Sequence, residues 1–148
     1  MIKQISFEQI YEIWKNSLWP NRTSPIEPNS AMIFLGGYTM DNMTTTPTFL
    51  GYFQNDKIIG VNSGHKCSDN SYRSRGLFVF PEFRHTGIAT KILKATIEQG
   101  KVEGCSFVWS YPRKTSWRAY KQADFILMSE WETSETSDAN AYCGLWYD

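Results

Sequence analysis

The sequence predicts a mixed α/β domain: one central, mostly antiparallel sheet of about six or seven strands, flanked by about four helices. Three observations predict it. Between residues 48 and 80, three strand-like runs follow one another with short turns between, which makes a meander. A helix and a further strand come next, and a β-α-β order adds a neighbour with helical cover. The 148 residues hold no repeat and no evident linker, so the length suits one domain over 1–148.

Each element has its own signal in the sequence. Met1–Ile5 alternates apolar and polar residues, as a strand does. Ser6 reads as an N-cap with Gln9 closing a capping box, and Ile10, Ile13, Trp14 and Leu18 continue at helical spacing until Pro20. Asn21–Asn29 carries Pro25 and Pro28 and reads as a loop. Ser30–Leu35 predicts a second short helix before Gly36 and Gly37, and Thr44–Pro47 is a break. Thr48–Gln54 and Ile58–Gly64 form a hairpin about a tight turn at Asn55–Lys57. A polar turn at Ser68–Ser71 leads to a third strand, Tyr72–Phe80. Ile88, Ala89, Ile92, Leu93, Thr96 and Ile97 make one helical stripe, with Gly100 as its C-terminal cap. Ser106–Tyr111 is a short strand ended by Pro112. Thr115–Gln122 fits a helix, Phe125–Trp131 a strand, Thr133–Asn140 a polar loop and Ala141–Tyr147 a last strand. In that strand Trp146 and Tyr147 either close their own sheet or join a second copy's in a homodimer.

Lys and Arg number 15, as do Asp and Glu, so the formal net charge is zero and a basic nucleic-acid surface is not indicated. No apolar run approaches the roughly 18 residues of a membrane span, and the amino terminus lacks the apolar stretch of a signal peptide. The expectation is a cytoplasmic protein. Cys67, Cys105 and Cys143 are widely spaced and form no Cys-x-x-Cys pair. They suit reduced, half-buried packing residues rather than a disulfide or a metal site. The aromatic share is 16%, serving a bulky core or a substrate pocket.

Residues 79–89 read Val-Phe-Pro-Glu-Phe-Arg-His-Thr-Gly-Ile-Ala. A strand stops at Pro81, a loop carries Arg84 and Gly87, and a helix starts near Ile88. The first turn of a helix presents free N–H groups and the positive end of its dipole, and Gly87 permits close approach of an anion. The Gly-Lys-(Ser/Thr) of a triphosphate loop and the Gly-x-Gly-x-x-Gly of a dinucleotide site are both absent. The run resembles the pyrophosphate loop of GNAT-type acyl-CoA N-acyltransferases, Val-x-Pro-x-x-(Arg/Gln)-x-x-Gly-x-(Gly/Ala), at Val79, Pro81, Arg84, Gly87 and Ala89. A second stretch is similar to that family's Asn-x-x-Ala-x-x-x-Tyr-x-x-x-Gly-Phe. Tyr120 and Phe125 fall at its spacing and Ser116 takes the small-residue place, while Arg113 stands for Asn and Asp124 for Gly. The likeness covers most of the chain in element order, with specific motifs only in residues 77–125.

The resemblance implies transfer of an acetyl group from acetyl-CoA, as co-substrate, to the amine of a small molecule or peptide. It implies that the backbones of Arg84, His85, Thr86, Gly87, Ile88, Ala89 and Thr90 wrap the pyrophosphate. Ser116 would border the same cofactor. The N–H groups of Leu77, Phe78 and Val79 would stabilise the carbonyl oxygen, where their strand splays from its neighbour. Tyr120 would protonate the departing thiolate. A carboxylate base is not found: the strands at 72–78 and 107–110 contain none, and Glu82 reads as a solvated loop charge. His65 is either a base or acceptor ligand, or a packed strand residue. Water held by Ser110 is another route. Arg73 and Arg75 share one strand face and would attract a carboxylate or phosphate if that face lines the cleft, or be solvated if it does not. Trp109 and Trp117 are cleft walls or core. No acidic cluster lies near the motifs to receive a strongly cationic acceptor. The alternative to catalysis is a GNAT scaffold that binds CoA or another ligand without turnover.

Overall fold

The computed structural model describes residues 1–134 and 137–147. Strand β1 (Ile2–Ile5) leads to helix α1 (Phe7–Ile13), and α1 runs on into a π-helical turn at Trp14–Leu18. The capping box at Ser6 and Gln9 is formed in both directions. Strands β2 (Thr48–Gln54), β3 (Lys57–Lys66) and β4 (Tyr72–Val79) make the meander, and the β2–β3 turn places Asn55 and Asp56 in the left-handed region that such short hairpins need. Helix α2 (Ile88–Val102), β5 (Phe107–Ser110) and α3 (Trp117–Gln122) follow, then β6 (Ile126–Leu127), β7 (Glu132–Ser134), β8 (Ser137–Asn140) and β9 (Cys143–Trp146).

The main sheet has seven strands in the order β1-β2-β3-β4-β5-β9-β6, and β7 and β8 form a separate small ladder. Every pairing in the main sheet is antiparallel except β4 with β5. The mixed, mostly antiparallel sheet is as the sequence predicts. Helix α1 and its π-turn bury Ile10 and Trp14 against Phe49 and Val61 on one face. Helices α2 and α3 pack side by side on the other, where Leu93, Ile97, Tyr120, Ala123 and Phe125 close over Tyr72 and Val108.

Several expectations are corrected. Ser30–Leu35 is not helical: Leu35, Gly36 and Gly37 have positive φ, and Met32 bridges Tyr38 instead. The fourth helix is therefore absent among the described residues, and a 3-10 turn at Met40–Thr44 is the nearest substitute. Gly100 is not a cap. It lies inside α2, where a Cβ would come within 2.8 Å of the Tyr147 hydroxyl and 3.0 Å of the Tyr72 ring. The cap is Gly104 at φ 84°, with the Cys105 N–H closing on the Gly100 carbonyl. The strand expected over Phe125–Trp131 shrinks to Ile126–Leu127, because β9 reaches only that far along it. The polar stretch expected as a loop at Thr133–Asn140 pairs in part, Glu132 with Asn140 and Ser134 with Ser137; its residues 135 and 136 lie outside the described residues.

At the carboxyl end, Trp146 stacks on Phe107 at 4.3 Å and the Tyr147 N–H bonds the Ser106 carbonyl, so both residues close their own sheet. All three cysteines are free and buried. Among the described residues no helix is long and apolar enough to cross a membrane.

Candidate active site

Strands β4 and β5 pair only at Tyr72–Val108 and Arg73–Trp109. Beyond those pairs β4 continues to Val79 and the two strands part. A bulge sets the divergence. The β3–β4 register shifts between Val61 and Ser63, so that Val61 faces Phe78 while Ser63 faces Arg75. Gly76 sits in the bulge at φ 80°. Only glycine fits there, since a Cβ would lie 2.4 Å from the Trp14 indole. The Trp14 Nε1–H donates to the Gly76 carbonyl at 2.8 Å. From the other face, the Asn62 side chain donates to Ser74 Oγ and Thr96 Oγ1, tying the bulge to α2.

The parted strands open into a cleft of about 910 Å³. Its floor holds Leu77, Phe78 and Val79, and one end is the loop before α2. Pro81–Phe83 forms a 3-10 turn, His85 has φ 64° and Gly87 has φ 84° as the N-cap of α2. Gly87 offers no side-chain cap, and the first helical bond runs from the Lys91 N–H to the Gly87 carbonyl. The N–H groups of Ile88, Ala89 and Thr90 are thus left for an anion, and a Cβ on Gly87 would meet nothing within 4 Å. The Arg84 side chain braces this loop: its Nε–H donates to the Val79 carbonyl at 2.7 Å and its guanidinium lies over Phe78. Arg84, His85, Gly87, Ala89 and Thr90 line the cleft.

Tyr120 reaches the cleft from α3. Its ring is buried and packs edge-on against Phe125 at 5.3 Å. Ser110 Oγ donates to the Ser74 carbonyl at 2.8 Å, and its contact with the Tyr120 hydroxyl is a loose 3.4 Å. Burial raises the phenol's pKa, so Tyr120 keeps its proton. Ser116 stands at the N-cap of α3 and also lines the cleft. Asp124, where the motif has Gly, has φ 74°; aspartate is among the few side chains that accept this conformation. Arg113, where the motif has Asn, donates to the Leu18 carbonyl at 3.3 Å.

The remaining candidates divide. Arg73 and Arg75 line the cleft and are buried, so the solvated reading is wrong for both. His65 is wholly buried away from the cleft, and its Nε2 accepts from the Ser30 N–H at 3.3 Å. Burial, aided by the Arg73 charge, lowers its pKa to about 3, too low for a base at neutral pH. The packed reading of His65 holds. Trp109 and Trp117 also pack in the core rather than line the cleft. No carboxylate lines the cleft among the described residues.

Most of the opposite wall went unannounced by any motif. Leu18, Trp19, Arg22, Ser30, Met32 and Tyr38 come from the region before residue 48. Beyond the helix that runs to Leu18, that region has no period to read. It is held by buried amides: Asn29 donates to the carbonyls of Asn42 and Thr45, and Asn42 to that of Met32.

Comparison with known proteins agrees with this geometry. The family model described as Acetyltransferase (GNAT) family matches residues 7–125. No curated protein sequence matches the chain. Among solved structures, Escherichia coli ElaA superposes with a TM-score of 0.70 at 13% identity, covering 97% of this chain and 99% of that one. An IAA acetyltransferase from Bacillus cereus gives 0.68 at 14% identity, covering 99% of each. A Bacillus subtilis acetyltransferase in complex with CoA gives 0.67 at 11% identity, covering 99% and 97%.

Proposed function

The chain belongs to the GNAT acetyltransferase family, and from that premise we propose that it moves an acetyl group from acetyl-CoA to a primary amine of a small molecule or peptide within one ternary complex. The observation that carries this reading is the placement of Tyr120 in the same cleft as the uncapped α2 N-terminus at Gly87 and the floor at Leu77–Val79. Acetyl-CoA supplies a thioester carbonyl already activated for attack. The α2 N-terminus suits its pyrophosphate, and the Bacillus subtilis structural neighbour is a protein solved in complex with CoA.

The amine nitrogen attacks the carbonyl carbon, the C–S bond breaks, the nitrogen gives up one proton and the leaving sulfur takes one. The N–H groups of Leu77 and Val79 point away from β3 and face the oxygen as its charge grows, while Phe78 pairs with Val61 in the β3–β4 ladder. Tyr120 donates its proton to sulfur, and the phenolate left behind, whose pKa burial raises, takes a proton back from solvent before the next cycle. No carboxylate takes the amine proton. The cleft is lined instead by Arg22, Arg73, Arg75, Arg84, Arg113 and Arg118. Their combined charge disfavours an ammonium beside them, so the amine enters neutral and releases its proton to water. A reaction drawing on acetyl-CoA accords with a cytoplasmic setting. The working unit is the monomer or a homodimer built outside the cleft.

The missing carboxylate equally favours a second reading, a CoA-binding module without turnover. Release of free CoA thiol on adding amines separates the two. Amine-dependent release that disappears in Tyr120→Phe supports the enzyme. CoA binding with no release for any primary amine supports the module.

A further inference from the structure

We infer that the acceptor amine also carries an anionic group, a carboxylate or a phosphate, and that Arg73 and Arg75 hold it. This rests on the acyl-transfer reading of the same cleft and names its substrate class. Arg73 is 7% exposed and lies over the Trp109 ring at 4.6 Å. Its Nε–H donates to the Ser74 carbonyl, and its Nη1 has no hydrogen-bond partner. Arg75 is 6% exposed and sits against the rings of Trp14 at 5.0 Å and Trp19 at 5.3 Å, with one bond from Nη1 to the Glu27 carbonyl. Neither has an acidic partner: the ion pair found among the described residues is Lys101–Glu98, on the surface.

Two buried guanidiniums side by side with no carboxylate in contact, the Glu27 charge only partly offsetting Arg75, are costly, and proteins keep such groups paired or ligated. Burial lowers the pKa of both, and the charges of Arg73 and Arg22 help bring Arg75 down to about 9. A bound anion removes that penalty. Stacking on aromatic faces fixes each guanidinium plane while leaving its edge free for the paired N–H···O bonds that a carboxylate or phosphate accepts. The pyrophosphate of the co-substrate is not that anion. Arg73 precedes Val79 by six residues of extended strand, roughly 20 Å, and the loop at Gly87 lies further on. Arg22, exposed over Trp19 at 5.0 Å, lines the same end and adds a third positive charge at the entrance.

The test reads binding without turnover, because Trp14, Trp19 and Trp109 touch these arginines and report on them. Indole fluorescence is titrated with the common L-amino acids and their carboxamides, and with phosphoethanolamine and ethanolamine. The same compounds are assayed for acetyl-CoA-dependent thiol release. At least one anionic member should bind saturably and exceed its uncharged partner by roughly 10–100-fold, the worth of charged hydrogen bonds. Preference for an amino acid identifies a carboxylate, and preference for phosphoethanolamine a phosphate. In Arg75→Gln the preference should collapse, in Arg75→Lys it should return in part, and in the exposed Arg22→Gln, where folding is not at risk, it should weaken. Equal binding of acid and amide, no binding of any anionic probe, or an unchanged preference in both glutamine variants overturns the inference. Anion binding that persists while acetyl-CoA gives no binding in calorimetry would sink the acyl-transfer reading and leave the anion subsite standing.

Discussion

Tyr120 is fixed by its ring and loosely engaged at its hydroxyl, which is the condition a proton donor needs. The edge-on contact with Phe125 holds the ring, whereas Ser110 spends its proton on the Ser74 carbonyl. Tyr120→Phe should therefore leave folding and acetyl-CoA affinity intact and lower kcat by about 10²-fold or more. A stopped assay of thiol release beside calorimetry checks both halves. His65 governs a different property. It is neutral when folded, with a pKa near 3, and titrates near 6.5 when unfolded. The unfolded chain thus binds the extra proton between those values. The unfolding free energy should fall as pH drops from about 6.5 towards 3 and be unaffected by this group at higher pH. His65→Gln, which keeps an acceptor for the Ser30 N–H, should flatten that part of the urea-melt profile.

At the scale of elements, the bulge in β4 is what makes the cleft. Gly76 is the residue that permits it, pressed between a left-handed backbone and the Trp14 indole. Gly76→Ala should cost about 3 kcal/mol of stability, from overpacking and positive-φ strain together, and should impair co-substrate binding as the strands close. Chemical denaturation measures the first and calorimetry the second. The sequence made the strand, loop and helix at 77–102 legible because three local signals agree there: an apolar run, a Pro stop and a helical stripe. It did not make the bulge legible, since Gly76 looks like any strand glycine until Trp14, 62 residues away in sequence, is seen to pack on it. Gly100 misled for the same reason: its smallness serves Tyr72 and Tyr147 rather than a helix end.

Over the whole molecule, the sheet order follows from local runs except at its far edge, where β9 inserts between β5 and β6. No residue-level pattern announces that insertion, because both β6 and β9 are too short, at two and four residues, to show a period of their own. The same limit applies to charge. The chain sums to zero, yet the cleft gathers six arginines and no carboxylate among its described lining. Only the folded arrangement brings Arg22, Arg73, Arg113 and Arg118 together. The strand, loop and helix at one end of the cleft could be read from contiguous sequence, and most of the opposite wall could not, because Ser30, Met32 and Tyr38 come from an aperiodic segment held by Asn29 and Asn42. The most direct test of the account is calorimetric titration with acetyl-CoA and with CoA, using the wild type and Gly87→Glu. Space is open above Gly87, but at φ 84° a side chain there is strained by about 1–2 kcal/mol, so the variant should fold with a melting temperature lowered by several degrees. The account predicts micromolar binding of both compounds that disappears in the variant, where a carboxylate and a Cβ occupy the anion's place. No heat with the wild type, or equal binding by a folded Gly87→Glu, would contradict it.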